Sequence, residues 1–210
     1  MRSEFSQLRK GRTPANKGKT YPAEILTPDE MRALLAQIPT TSSLGLRNRA
    51  LITLLYRTGL RHAEALDLRP KDVDLAAGSV TVLHGKGDRR RTVGIDSGGG
   101  RIVQAWLERR ASLGFGAEQT LFCTLQGRHL HHSYLRTLLC RLAEAAGITK
   151  RVHPHGFRHT HAYELAMEGV EMPIIQRQLG HASLATTDRY LNHIAPRQVI
   201  EAINKREWSP

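Results

Sequence analysis

The chain has only two cysteines, Cys123 and Cys140, among 210 residues, and aromatic side chains make up 5% of it. Two thiols so far apart exclude the disulfide framework of a small secreted scaffold, and both are expected to be reduced and buried. Long apolar runs are also missing. No stretch approaches the roughly 20 residues that span a bilayer, and no signal-peptide core follows Met1. Acidic residues are scarce: 19 Asp and Glu face 31 Lys and Arg, a net charge of +12 with a pI near 10.4. A balance of that size suits a polyanion or a membrane surface, and the missing apolar runs exclude the spanning form of the second. We expect a cytoplasmic, nucleoid-associated protein.

Hydrophobic residues make up 40% of the chain, enough for a real core, and one large domain preceded by an arm fits the pattern. Residues 2–22 carry Arg2, Arg9, Lys10, Arg12, Lys17 and Lys19 against Glu4 alone, and Gly11, Pro14, Gly18 and Pro22 break any periodicity. Residues 1–24 are therefore expected to be a flexible basic arm or linker, and residues 25–210 the folded domain.

Order should begin at Thr27-Pro28-Asp29-Glu30, a capping threonine with proline at the first helical position and glutamate three residues after the cap. That helix should run to about Ile38. Leu46, Ala50, Leu51, Leu54 and Leu55 recur at helical spacing and stop near Gly59, which delivers Arg61 to a next short helix with Glu64 on the same face. Between Val73 and Ile95 the pattern changes. Ser79–Leu83 and Arg91–Ile95 are β-rich runs flanking Gly85-Lys86-Gly87-Asp88, so Lys86 should ride the tip of a mobile hairpin. Further helices are expected over about Arg101–Leu113, around Leu135–Ala146 closed by Gly147, from His155 to Gly169, after Pro173, and from about Pro196 to Glu207. The fold class is mainly α with a small antiparallel β-sheet (α+β).

Two segments carry the chemistry: His153-Pro154-His155-Gly156-Phe157-Arg158-His159-Thr160, and Gly180-His181 followed by Tyr190. A phenol, imidazoles and a guanidinium suffice to attack a phosphodiester without a metal. Tyr190 would be the nucleophile, His155 could move its proton, and Arg158 with His181 could hold the phosphate oxygens. Arg61 supplies a second planar fork suited to phosphate, and Glu64 would buttress it. A metal site is the rival use of the histidines, since His155 and His159 stand four apart as on a zinc-binding helix. The first histidine is not followed by the glutamate of a His-Glu-x-x-His motif, and no cysteine is near in sequence, so no metal and no cofactor are expected.

These segments resemble the signatures of the tyrosine recombinase (phage integrase) family, in which a His-x-x-Arg box is followed by Leu-Gly-His and, nine residues after that histidine, by tyrosine. Leu179-Gly180-His181 to Tyr190 has that spacing. Thr58–Leu66 resembles the box of the family's first arginine, and Gly85–Arg91 its lysine hairpin. Four motifs in the family's order, over about residues 25–195, are far more specific than any one of them. The resemblance implies a recombinase catalytic-domain fold with a C-terminal helix and catalytic roles for Arg61, Lys86, His155, Arg158, His181 and Tyr190. It makes Lys86 the acid that protonates the departing 5′ oxygen. His159 matches a recurrent supporting position, while His153 and His161 have no assigned role. Arg89, Arg90 and Arg91 are expected to contact DNA.

The implied activity is site-specific cleavage and rejoining of double-stranded DNA through a 3′-phosphotyrosyl link, within a tetrameric synapse. Alternatives are a type IB topoisomerase activity or a non-catalytic DNA-binding derivative of the fold. Family members usually carry a helical core-binding domain first, which about 24 residues cannot supply; the chain is then a fragment or a short member with a weakened grip on DNA. The hairpin exit Thr92-Val93-Gly94-Ile95, followed by Ser97-Gly98-Gly99-Gly100, also looks looser than the family's proline-containing exit.

Overall fold

The computed structural model describes residues 24–83, 90–180 and Asn204. The first helix, α1 (Pro28–Ala36), starts as its cap dictates: Thr27 Oγ1 accepts the Glu30 N–H at 3.1 Å, and the Glu30 carboxylate accepts the Thr27 N–H at 2.7 Å. Ser42 caps the second helix, α2 (Ser43–Thr58), by accepting the Gly45 N–H at 3.0 Å. Ala50, Leu51, Ile52, Leu54 and Leu55 of α2 are all fully buried, so its apolar positions extend around much of the helix. A helix apolar on several sides must be covered on several sides, and α2 is the central strut. It packs on α4 (Ser97–Ser112) and on α6 (Pro154–Met167), with the short α3 (His62–Asp67) following directly from its end.

The small sheet is antiparallel in the order β1 (Val73–Asp74), β2 (Ser79–Val82), β3 (Arg91–Gly94). Val80 pairs with Val93 and Val82 with Arg91, so strand alternation turns these four inward and leaves Thr92 and Gly94 outside. Residues 84–89, where the hairpin tip with Lys86 is expected, lie outside the described residues.

One core joins the sheet, α1 to α4, α5 (His132–Ala145), α6 and the buried segment Leu121–Cys123. Trp106 of α4 is fully buried and donates its indole N–H to the Leu121 carbonyl at 2.8 Å, so the one polar atom of a large side chain is satisfied. Burial of a single leucine or valine of this core stabilises by about 1.5–3 kcal/mol. A second, smaller cluster forms between α6 and α7 (Met172–Leu179) from Ala162, Ala166, Ile175 and Leu179.

Three expectations change. Helix α4 begins at Ser97, four residues earlier than expected: Asp96 caps it by accepting the Gly99 N–H at 3.0 Å, and a side chain at Gly99 would crowd the Arg57 stem at 3.2 Å. The glycine run is therefore the tight first turn of a helix rather than a loose exit. Cys123 is buried as expected, but Cys140 is exposed, on the outer face of α5 (His132–Ala145). Arg61 precedes α3 as its cap residue instead of lying within it. Residues 1–23 of the expected arm, the tyrosine-bearing segment and nearly all of the expected C-terminal helix lie outside the described residues; Asn204 within the expected helix is helical.

Candidate active site

Two helices end at the site, and both end the same way. Gly59 closes α2 at φ +64° and Gly180 closes α7 at φ +65°, left-handed conformations that glycine adopts without strain. Each also lacks room for a side chain. A methyl group on Gly59 would come within 2.7 Å of His161 Cδ2, and one on Gly180 within 2.5 Å of Arg91 Nε. The carbonyls at these two ends converge on Arg158. Its guanidinium, 1% exposed, donates Nη1 to Gly59 O at 2.7 Å and Nη2 to Leu179 O. A cation is favoured at helix C-termini, so the fold itself fixes the plane and the charge of this fork.

Arg61 lies two residues past Gly59, at the start of α3. Its backbone N–H donates to Glu64 Oε2 at 2.9 Å and its Nη1 to Glu64 Oε1 at 2.8 Å. Arg91, the first residue of β3, meets the same carboxylate from the other side in a two-pronged pair, Nη1 to Oε1 at 2.9 Å and Nη2 to Oε2 at 2.7 Å. The Glu64 side chain is 5% exposed and that of Arg91 14%, while Arg61 keeps 30% of its side-chain surface open. Burial pushes the Glu64 pKa up, but the Arg91 fork, the Arg61 backbone N–H and the Arg61 guanidinium outweigh it and bring it down to about 2.

Helix α6 carries the histidines. His153 is its cap, Nδ1 accepting the Gly156 N–H at 3.0 Å, and Pro154 occupies the first helical position. His155 follows as the exposed residue of a first turn in which Pro154, Gly156 and Phe157 are buried. Desolvation first, and then the positive neighbours Arg158, His153, Arg61 and His62, hold its pKa down to about 4, so it is neutral at pH 7. His159, one turn on, stands edge-on to it with ring centroids 4.5 Å apart. His161, 5% exposed, packs against Gly59; desolvation first, then Arg57 and Arg158, bring its pKa to about 4 as well.

Among the expected site residues, Arg61, Glu64, His155, Arg158 and His159 share this junction of α2, α3, α6 and α7. Arg90 is exposed just before β3, whereas the guanidinium of its neighbour Arg91, expected on DNA, is turned onto Glu64. Lys86, Arg89, His181 and Tyr190 lie outside the described residues. Sequence reasoning missed Gln178, whose side-chain amide pairs with β3 as a strand would: Gly94 N–H donates to Oε1 at 2.9 Å, and Nε2 donates to Gly94 O at 2.9 Å and to Thr58 O at 3.2 Å. No local motif marks a glutamine for that task. Arg91 did leave a signal, because it shares the inward face of β3 with Val93. Among the described residues, no group of three or more His, Cys, Asp or Glu is arranged to hold a metal ion. The arrangement offers two oriented guanidiniums and a neutral imidazole, a set suited to an anion and to taking up a proton.

Comparison with known proteins agrees with these motifs. Residues 24–196 match the Phage integrase family. The chain is 40% identical over 166 residues to the tyrosine recombinase XerC of Xylella fastidiosa strain 9a5c, covering 79% of this chain and 55% of that protein. It thus spans little more than half the length of the curated relative it matches. A crystal structure of XerA recombinase superposes with a TM-score of 0.77 at 30% identity, over 97% of this chain and 73% of that one. A post-cleavage complex of the XerH site-specific recombinase bound to palindromic difH substrate superposes at 0.73 and 30% identity, over 88% of this chain and 54% of that one. By fold, by motif order and by sequence, the chain belongs to the phage integrase family of tyrosine recombinases.

Proposed function

We propose that this protein cuts and rejoins double-stranded DNA at a specific site through a covalent link to Tyr190. The observation that carries this is the junction itself: Arg61 and Arg158 are fixed beside neutral His155, and the chain continues from Leu179 into Gly180-His181 and, nine residues after His181, Tyr190. Residues 25–210 act as the catalytic domain and residues 1–24 as a basic arm. The substrate is DNA, and the protein associates with further copies of itself on it; the +12 charge supports the first, and the XerH complex with its palindromic substrate supports both. No described helix is long and apolar enough to cross a membrane, and we place the protein on DNA in the cytoplasm.

In this scheme the Tyr190 oxygen attacks phosphorus and its proton passes to His155, whose ring is neutral and able to accept it. Arg61, Arg158 and His181 meet the charge that grows on the two non-bridging oxygens. Fixed donors of this kind need no reorganisation as that charge develops, which is the use of anchoring Arg158 on two helix ends. Lys86 gives a proton to the departing 5′ oxygen, leaving a 3′-phosphotyrosine and a free 5′ hydroxyl. A 5′ hydroxyl of a partner strand then reverses the steps. Bond energy is kept in the phosphotyrosine, so rejoining needs no nucleotide.

The test is a pool of nicked duplexes with a randomised 30-bp core, incubated with the protein and EDTA and scored for denaturant-resistant adducts. Adducts that form in EDTA and vanish in Tyr190→Phe support the proposal. No adduct, or one that persists in Tyr190→Phe, contradicts it. Relaxation of supercoiled plasmid with no strand exchange between two enriched duplexes would favour a topoisomerase instead.

A further inference from the structure

Arg91 lies within a run of three arginines after the hairpin, where contact with DNA phosphates is the obvious role. Its surroundings speak against that. Both Nη atoms are bound to Glu64 in the fork-to-carboxylate geometry, and the side chain is 14% exposed. Its stem and Nε fill the space that a side chain at Gly180 would occupy, with Nε, Cδ and Cζ 2.5, 2.6 and 2.8 Å from where a Cβ would be. Its own backbone opens β3, the strand that leaves the Lys86 hairpin. One side chain thus touches three parts of the site: the carboxylate that holds Arg61, the glycine that begins the Gly180-His181 segment, and the strand that follows Lys86 in sequence. Gln178 stitches β3 to α7 a few residues further along, so this contact is one half of a two-point junction.

We infer that Arg91 is a positioning residue for the catalytic set and not a DNA contact: it holds Glu64 against Arg61 and keeps the hairpin strand in register with the Leu179-Gly180 turn. This rests on the function proposed above. Lysine is the informative substitution. A lysine keeps the charge, which is what a phosphate contact needs, but it has no planar fork to span both oxygens of Glu64. A positioning role therefore makes Arg91→Lys defective, and a phosphate contact makes it nearly silent.

Two measurements on the full 210-residue chain separate the roles. The first is the salt dependence of binding to a 30-bp duplex of random sequence, where loss of one phosphate contact lowers the slope of log K against log salt by about 1. Arg91→Lys and Arg91→Ala should keep the wild-type slope, and Arg90→Ala should show the lower one. The second is single-turnover cleavage at saturating concentration of the nicked duplex most enriched by trapping from the randomised pool. Arg91→Lys should slow it about 10- to 100-fold, as expected for reacting groups displaced by about 1 Å. The double variant Arg91→Lys, Glu64→Gln should be within about twofold of Glu64→Gln alone, because residues acting as one unit are not additive. If Arg91→Ala fails to fold, the lysine variant and the double variant carry the test. A lowered slope in either Arg91 variant, or wild-type cleavage by Arg91→Lys, overturns the inference while leaving the proposed function standing. Absence of any adduct from the wild type removes the proposed function and this inference together.

Discussion

Arg158 and Gly59 lie 99 residues apart in sequence, and Arg158 Nη1 donates to the Gly59 carbonyl at 2.7 Å. The other Nη reaches Leu179, so one buried guanidinium closes the negative ends of α2 and α7. Each of these helices leads, within two residues, to a side chain proposed for the site: Arg61 after Gly59, and His181 after Gly180. The same charge that would stabilise a phosphate thus also ties together the two helix ends that precede these residues in sequence.

That double role makes Arg158 costly to replace. Arg158→Ala leaves two buried carbonyls without their donor, each worth about 1–3 kcal/mol, in addition to the lost packing. We expect urea unfolding to show a loss of about 2–5 kcal/mol and cleavage to be undetectable. Arg158→Lys should recover part of the stability but not the activity, because a point charge cannot orient toward both carbonyls and phosphate as a fork does.

Gly59 and Gly147 make a matched pair for separating strain from crowding. Both have positive φ, +64° and +67°, but a side chain at Gly59 would strike His161 at 2.7 Å and Leu179 at 2.8 Å, whereas nothing lies within 4 Å of one at Gly147. Gly147→Ala should cost only the left-handed penalty of about 1–2 kcal/mol, and Gly59→Ala clearly more, read from denaturant midpoints at unchanged m-value.

Acid should weaken the fold in two separate pH windows. His161 has a folded pKa of about 4, below its ordinary 6.5, so the unfolded chain binds a proton that the folded chain refuses. Its contribution is present above pH 6.5 and is lost as pH falls toward 4, amounting to about 2 kcal/mol between pH 7 and 5. Glu64, with a folded pKa of about 2 against 4.5, contributes above pH 4.5 and is lost only as pH falls toward 2. Urea titrations at pH 7 and 5 should therefore show a drop that shrinks in His161→Gln and is unchanged in Glu64→Gln.

Lys86 can be tested as an acid apart from its charge. With sulfur in place of the bridging 5′ oxygen the leaving group needs no proton, so Lys86→Ala should be slow on ordinary DNA and near wild type on the sulfur substrate. Arg158→Ala should stay slow on both. Equal slowness of Lys86→Ala on both would assign Lys86 to phosphate binding.

What was legible in the sequence was local. The capping box at Thr27, the glycine stop at Gly59, the strands around Val80 and Val93, and the helix expected from His155, which begins one residue earlier at Pro154, follow from residues within one or two turns of each other. The misread pieces depend on distant partners. The glycines after Ser97 look loose until Arg57 of α2 is packed on Gly99, and Cys140 falls on the outer face of α5 because Leu135, Leu139 and Leu142 take the inner one. Within the site, the motifs named Arg61, Glu64, His155 and Arg158 one by one, but the carbonyl clamp on Arg158 and the Arg91–Glu64 fork join residues 21 to 99 positions apart. Only the fold puts those together.

In the proposed reaction Tyr190 becomes bonded to the phosphate on the 3′ side of the cut. This bond is tested most directly by trapping the adduct on a nicked duplex labelled on either side of the scissile phosphate, digesting the protein, and identifying the linked peptide by mass spectrometry. The expected result is a phosphodiester on Tyr190, label retained only from the 3′-phosphate side, and a free 5′ hydroxyl on the released strand. A linkage at another residue, or a 5′-phosphate attached to the protein, would contradict it.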